Sequence, residues 1–334
     1  MEQIDKKPLG AIDALFAGFE LVFRQPWILL VPIALDLFLW LGPQIHAKPV
    51  FNQMLSILSA SATQSGSPDT QQALDAFKSA FQAAGEQFNV FSFVAMFGMG
   101  IPTIMPIVDA PPVDLFTPIV LFSIEDQAVF LGWFMLFALV GVLLGSIYLS
   151  GIARAVKREP GGIPSFLPET VRSFVRVLML VVALGLGGLV LMIPFALGAL
   201  LVSLLSPGLG IFFILAIWLV LMWAALYLSF AVPSIFVSGV GVQKSILNSI
   251  TVFRYNFWSA IGLVFLVVVI QMGFSIIWQQ LQDSTAGLIV DMLANAVLGT
   301  ALVAAMMLFY YDRFTWLTAV RERIRQQHRP SLKG

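Results

Sequence analysis

The chain has 334 residues, of which 59% are hydrophobic and only 11% charged, and its 18 basic and 18 acidic side chains give a formal net charge of zero. A soluble domain carries about 25% charged residues, so the composition excludes a water-soluble globular protein and makes lipid the solvent for most of the surface. Cysteine is absent, which excludes disulfides, a thiolate nucleophile and a sulfur-ligated metal.

From the N-terminus, Glu2, Lys6, Lys7, Asp13 and Glu20 precede the first apolar run, and no small-residue cleavage site closes that run. This stretch reads as a retained cytoplasmic segment rather than a signal peptide. Within residues 8–25, Ile12, Leu15, Phe16, Phe19, Val22 and Phe23 fall at helical spacing, with Asp13, Glu20 and Arg24 elsewhere. That pattern predicts an amphipathic helix lying in the inner interface. A first span over 27–47 contains Asp36.

Residues 48–128 form an extracytoplasmic insertion. Stretches 51–62 and 68–88 read as helical, the second opened by Ser67-Pro68-Asp69, which supplies a cap, a first-turn proline and an acid at the positive end. Stretch 89–108 is long enough to span but is interrupted by Gly98, Gly100, Pro102 and Pro106. A span there would also leave Asp109, Asp114, Glu125 and Asp126 in the cytoplasm without a basic residue. It reads instead as a lid that dips into or lies on the membrane, closed by Ala110-Pro111-Pro112, with Met96, Met99 and Met105 as an adaptable contact surface.

A second span, 129–151, carries Gly141 and Gly145 as a small-xxx-small pair suited to close helix contact. A second interfacial helix, 164–176, sets Leu167, Val171, Phe174, Val175 and Leu178 against Glu169, Arg172 and Arg176. Spans 177–204 and 210–232 follow. A third interfacial helix, 242–256, sets Val242, Ile246, Ile250, Phe253 and Phe257 opposite Lys244, Asn248 and Arg254. Span 257–279 holds Gln271 at its middle, and span 287–311 holds Asp291 near its outer end with Asn295 one turn further on the same face. Residues 313–334 form a basic cytoplasmic tail.

The expected fold class is an all-α membrane protein. Six transmembrane helices form three hairpins, each preceded by an interfacial amphipathic helix, and a helical insertion sits on the outer face. The charges orient it. Cytoplasmic segments hold 16 basic and 8 acidic residues, a net +8, while outer segments hold 2 basic and 8 acidic residues, a net −6. This is the bias of a protein of the bacterial cytoplasmic membrane with both termini inside. Phe23-Arg24, Val175-Arg176 and Phe253-Arg254 end the three interfacial helices alike, and the spacings of 152 and 78 positions between their arginines leave about 74 residues for the insertion, as a threefold internal repeat would require.

The sequence is poor in chemistry. His46 and His328 fall on opposite faces, so no histidine cluster can hold a metal. No phosphate-cradling loop and no Gly-x-Ser-x-Gly elbow is present. No catalytic residue and no cofactor is expected. An aspartate at mid-helix costs roughly 2.5–3.5 kcal/mol on the insertion scale, so Asp36, Asp291, Asn295 and Gln271 are the candidate intramembrane polar site; the structural alternative for each acid is one interhelical hydrogen bond. Arg24, Arg176 and Arg254 are candidate lipid-headgroup anchors.

Two stretches resemble a known group. Tyr227-Leu-Ser-Phe-Ala-Val-Pro-Ser-Ile-Phe-Val with Lys244-Ser245 and Asn256-Phe257-Trp258, and Leu308-Phe-Tyr-Tyr-Asp-Arg313, are similar to uncharacterised bacterial six-helix membrane proteins. That group includes the membrane domain fused to some glycerophosphoryl diester phosphodiesterases. The likeness covers the second half of the chain and carries no catalytic motif, so it implies a fold and no activity. Three functions are carried forward: a non-enzymatic accessory, assembly or lipid-interacting protein; a small-solute or ion transporter or channel using Asp36; and a membrane-embedded lipid-modifying enzyme. The expected partners are membrane lipids and a protein docking on the outer insertion, with no nucleic acid.

Overall fold

The computed structural model describes residues 8–62, 75, 77–82, 85, 88–107, 119–159 and 163–327. Helix α1 (Ala11–Arg24) begins at Gly10, whose N–H donates to the Asp13 carboxylate at 3.1 Å, an acid placed where the first-turn dipole favours it. It stops because Pro26 disfavours a helical Gln25. The chain bends by 91° through a 3₁₀ turn, Pro26–Leu29, into α2 (Leu30–Leu41).

The first apolar stretch ends earlier than the 27–47 expected. Gly42 caps α2 and Pro43 blocks further helix. Gln44–His46 become strand β1, paired in parallel with β2 (Val120–Ser123). The insertion is therefore not wholly helical: β-branched and aromatic residues at Ile45, Val120 and Phe122 favour an extended backbone. Helix α3 (Lys48–Ala62) contains the 51–62 stretch. Residues 77–82 are helical, while Ser67-Pro68-Asp69 and Ala110-Pro111-Pro112 lie outside the described residues. Stretch 89–107 holds only a five-residue helix, α4 (Ser92–Met96), and a 3₁₀ turn, Met105–Ile107.

Next come α5 (Gln127–Lys157), α6 (Ile163–Leu205), α7 (Pro207–Leu228), α8 (Ala231–Ser238), α9 (Val242–Tyr255), α10 (Phe257–Gln279) and α11 (Thr285–Gln327). Among the described residues, five helices are long and apolar enough to cross a membrane, and a sixth is supplied if the bent pair of α1 and Pro26–Leu41 counts as one span. In α11 the most apolar window is 67% buried, against 6–22% in the other four. Those four turn Leu, Val, Ile, Met and Trp side chains outward, a surface that only lipid solvates without penalty.

One departure concerns the interfacial helices. Residues 164–176 are not a separate element, because α6 runs unbroken for 43 residues. At 1.5 Å per residue that is about 65 Å, longer than a bilayer is thick. The sequence explains the difference. Arg24 is followed by Gln25-Pro26 and Arg254 by Tyr255-Asn256, whereas Arg176 is followed by Val177-Leu178, which offer the helix no stop. In α1 and α6 most of the apolar stripe faces outward, as a helix resting in an interface does. In α1, Ala14, Gly18 and Val22 are buried while Ile12, Phe16 and Phe23 are exposed. In α6, Thr170 and Ser173 are buried and Leu167, Val171 and Val175 exposed; in α9, Ser245 and Ser249 are buried together with Phe253 of the stripe. Small residues allow close backbone approach, and the large apolar side chains are left for lipid.

The described chain divides into two compact units. The first takes its residues from 1–28, 149–272 and 300–334, and the second from 29–148 and 273–299. In the first, α6 packs on α7, and α9 packs on α6, α7 and α8. In the second, Phe130, Phe134 and Phe137 along one face of α5 meet Phe51, Phe91, Phe93 and Phe97 from the insertion.

Candidate intramembrane polar site

The second unit holds a chain segment of irregular backbone packed against the apolar middle of α5. Its position follows from α5: a methyl group on Gly145 would lie 2.8 Å from Met99 N, and one on Gly141 would lie 3.1 Å from Phe97 Cβ. The expected small-xxx-small pair thus receives α4 and the turn after it rather than a neighbouring long helix, near the middle of an apolar helix. Gly299 of α11 makes a second seat, where a Cβ would come within 2.9 Å of Pro102 Cγ. Val90, Val94, Ala95, Ile101 and Ile104 are buried. Irregular backbone in so apolar a setting survives only where its polar groups are paired.

Asp36 supplies that pairing. It lies on the inward face of α2 with Pro32, Leu35 and Leu39, at spacings of three and four residues. Ile104 N–H donates to Asp36 Oδ1 at 3.1 Å and Met105 N–H donates to the same oxygen at 3.3 Å. Those two N–H groups lie where the Ile101–Ile104 stretch, which has no regular structure, meets the 3₁₀ turn, whose first N–H groups have no acceptor within the turn. Ile104 also packs with Leu288 and Met292 of α11, with Trp40 and Met105 against them, so the carboxyl group sits among apolar side chains.

Asp291 is adjacent in sequence to Met292 and fully buried. Gln282 Nε2 donates to its Oδ2 at 2.7 Å. Its Oδ1 is buried and receives no hydrogen bond among the described residues. Asp291 lies near enough to Asp36 for the two side chains to interact electrostatically. Asn295 is buried one turn further along α11. The structure therefore brings Asp36, Asp291 and Asn295 into one unit. Gln271 belongs to the other unit, on an exposed face of α10.

The three arginines have separate surroundings. Arg24 is exposed and pairs with Glu20 at 2.6 Å. Arg176 is half-buried, its Nη1 beside Gly239. Arg254 is exposed at the end of α9. Nothing matches this chain among family models, curated proteins or solved structures.

A polar network in the first unit was missed at the level of residue spacing. Tyr310 OH donates to Ser234 Oγ at 2.9 Å and lies 2.8 Å from Ser238 Oγ, and Asn248 Nδ2 donates to Ser234 Oγ at 3.2 Å. Asn248, read from the sequence only as lying opposite the apolar stripe, thus serves two buried hydroxyls with its amide. Arg313 Nη1 donates to Asn256 Oδ1 at 2.9 Å and Nη2 to Leu9 O at 2.6 Å, while Leu9 N–H donates to Asp312 Oδ2 at 2.7 Å. Phe230 stacks on Phe309, and Ser249 Oγ donates to Tyr227 O at 2.6 Å. The two stretches quoted for their resemblance, separated in sequence, pack together here. A signal for the network existed in the polar residues Ser234, Asn256 and Tyr310 embedded within apolar runs.

Proposed function

We propose that this chain is a multi-pass protein of a bacterial cytoplasmic membrane with six spans arranged as three hairpins, each introduced by an interfacial segment, and with both termini inside. In this reading it acts without catalysis, as an accessory or assembly protein that works through membrane lipid, and it is akin to the uncharacterised six-helix group its second half resembles. The observation that carries the lipid reading is an apolar crevice of about 420 Å³ in the second unit. Leu30, Val31, Ala34 and Phe38 of α2, Phe91 and Val94 of the irregular segment and Phe137 and Leu144 of α5 line it. Its lining is apolar throughout, and the carboxyl group of Asp36 is occupied by backbone. An accessible crevice with an apolar lining suits an acyl chain better than a polar solute. Native mass spectrometry of protein purified with its lipid tests this. Retained lipid is expected, and Ala34→Trp, which fills the crevice, is expected to remove part of it. A wild-type protein that carries no lipid would overturn the reading.

The protein-partner form of the same reading draws on β2, where Ile119, Val120, Leu121 and Phe122 are all exposed; cross-linking from this strand in native membranes is expected to capture a distinct protein. Transport is favoured by one observation, the unpaired buried Oδ1 of Asp291. If it holds, proteoliposomes show a flux that Asp291→Asn abolishes; liposomes without flux eliminate it.

A further inference from the structure

The C-terminus of α5 is closed by an arginine where glycine is the usual choice. Arg158 N–H donates to Ala155 O and Glu159 N–H to Arg154 O, both at 3.3 Å. This is the two-bond closure in which the residue after the helix adopts a left-handed conformation. Arg158 adopts it, with φ 54°, and is the only non-glycine residue with positive φ among the described residues. Glycine takes this conformation without steric cost, so the side chain placed here is held against a local preference. Strain of this kind points toward a use for the group that bears it.

Arg158 lines a cleft of about 350 Å³ in the first unit. The opposite wall is the last turns of α1, with Glu20, Arg24 and Gln25, and Leu21, Val156 and Leu308 form an apolar base. Arg158 makes no ion pair among the described residues, and Arg24 holds Glu20 with both side chains well exposed, at 70% and 61%. The cleft therefore offers two guanidinium groups and one carboxylate. Guanidinium forks match phosphate oxygens, and a carboxylate accepts from an ammonium. The helix that provides this wall also exposes Ile12, Phe16 and Phe23, with Trp27 just beyond it, as a helix resting in a membrane interface does.

We propose that this cleft binds a phosphate ester that also bears a primary ammonium group, with Arg158 and Arg24 on the phosphate and Glu20 on the ammonium. The ligand is a phosphoethanolamine group, presented by a membrane lipid or free in solution. The proposal rests on the lipid-interacting reading and assigns it a headgroup.

The test uses the full chain in nanodiscs of equal parts phosphatidylethanolamine, phosphatidylglycerol and phosphatidylcholine, with lipids retained on release read by native mass spectrometry. The wild type is expected to retain the ethanolamine lipid preferentially. Arg158→Gly is expected to reduce that retention at least about fivefold while leaving the melting temperature unchanged or higher, since glycine relieves the left-handed residue. Glu20→Gln is expected to abolish the preference over phosphatidylcholine, whose quaternary ammonium cannot donate a hydrogen bond. A second arm titrates free phosphoethanolamine into nanodiscs of phosphatidylcholine alone. Binding there that Arg158→Gly removes supports the site with the soluble ester as ligand. Lipid retained without headgroup preference, together with no binding of the free ester, overturns the proposal while leaving the lipid reading intact. Retention of no lipid at all overturns that reading, and the free-ester arm then decides the site alone. Equal binding by the wild type and Arg158→Gly in both arms also overturns it.

Discussion

At the residue scale, Asp36 shows how a polar side chain in an apolar span is put to use. Its oxygen closes two backbone donors that the irregular segment leaves open. Asp36→Leu removes the acceptor and keeps the volume, so Ile104 and Met105 lose their partner in a dry site. The expected loss is about 1–3 kcal/mol of stability for each orphaned donor. Asp36→Asn retains a carbonyl oxygen and is expected to lose less. Unfolding followed by tryptophan fluorescence in detergent measures both, and an Asp36→Leu protein as stable as its parent would refute the role. Tyr310→Phe deletes the hydroxyl shared by Ser234, Ser238 and Asn248. It is expected to cost about 1–3 kcal/mol in the same assay, without changing lipid retention at the crevice. Asp36 was legible in the sequence as a residue with a task, because a mid-span acid is costly. Its partners were not, because backbone N–H groups carry no identity in a sequence.

At the element scale, glycines set the approach distances. Gly141 and Gly145 were readable as a contact pair, but the sequence suggested another long helix as their partner. The actual partner is α4 with the broken segment after it, whose Gly98, Gly100 and Pro102 forbid a long helix. Gly145→Leu is expected to push this segment off α5. A single cysteine at Ala95 reads the effect cleanly, since the chain has none of its own. Labelling by a membrane-permeant maleimide should be slow in the parent and roughly tenfold faster in the Gly145→Leu background, the change given by about 1.4 kcal/mol of local opening. The interfacial segments teach a related lesson. Their helical periodicity was plain, yet periodicity does not say which side meets protein. In α1, a Cβ on Gly18 would lie 2.9 Å from Ala305 N, so the small face takes the inward position and the phenylalanines turn out.

At the scale of the whole molecule, charge segregation yields an expectation that labelling can check. In sealed inside-out vesicles, single cysteines at Gln243 and Gln326 should react with an impermeant maleimide, while cysteines at Gln53 and Asp283 should stay protected. Any exchange between these groups would contradict six spans with both termini inside. What the sequence by itself determined is the class of protein: long apolar helices, an interrupted segment at 89–108 and a segregation of charge. Each of these is set by solvent preference and local sterics, which act residue by residue. Tertiary structure alone decided the pairing of β1 with β2, the partners of Asp36 and the meeting of Tyr310, Asn248 and Ser234. Each of these depends on which distant groups compete for the same buried hydrogen bond or the same close backbone approach, and that competition is settled only when the chain packs.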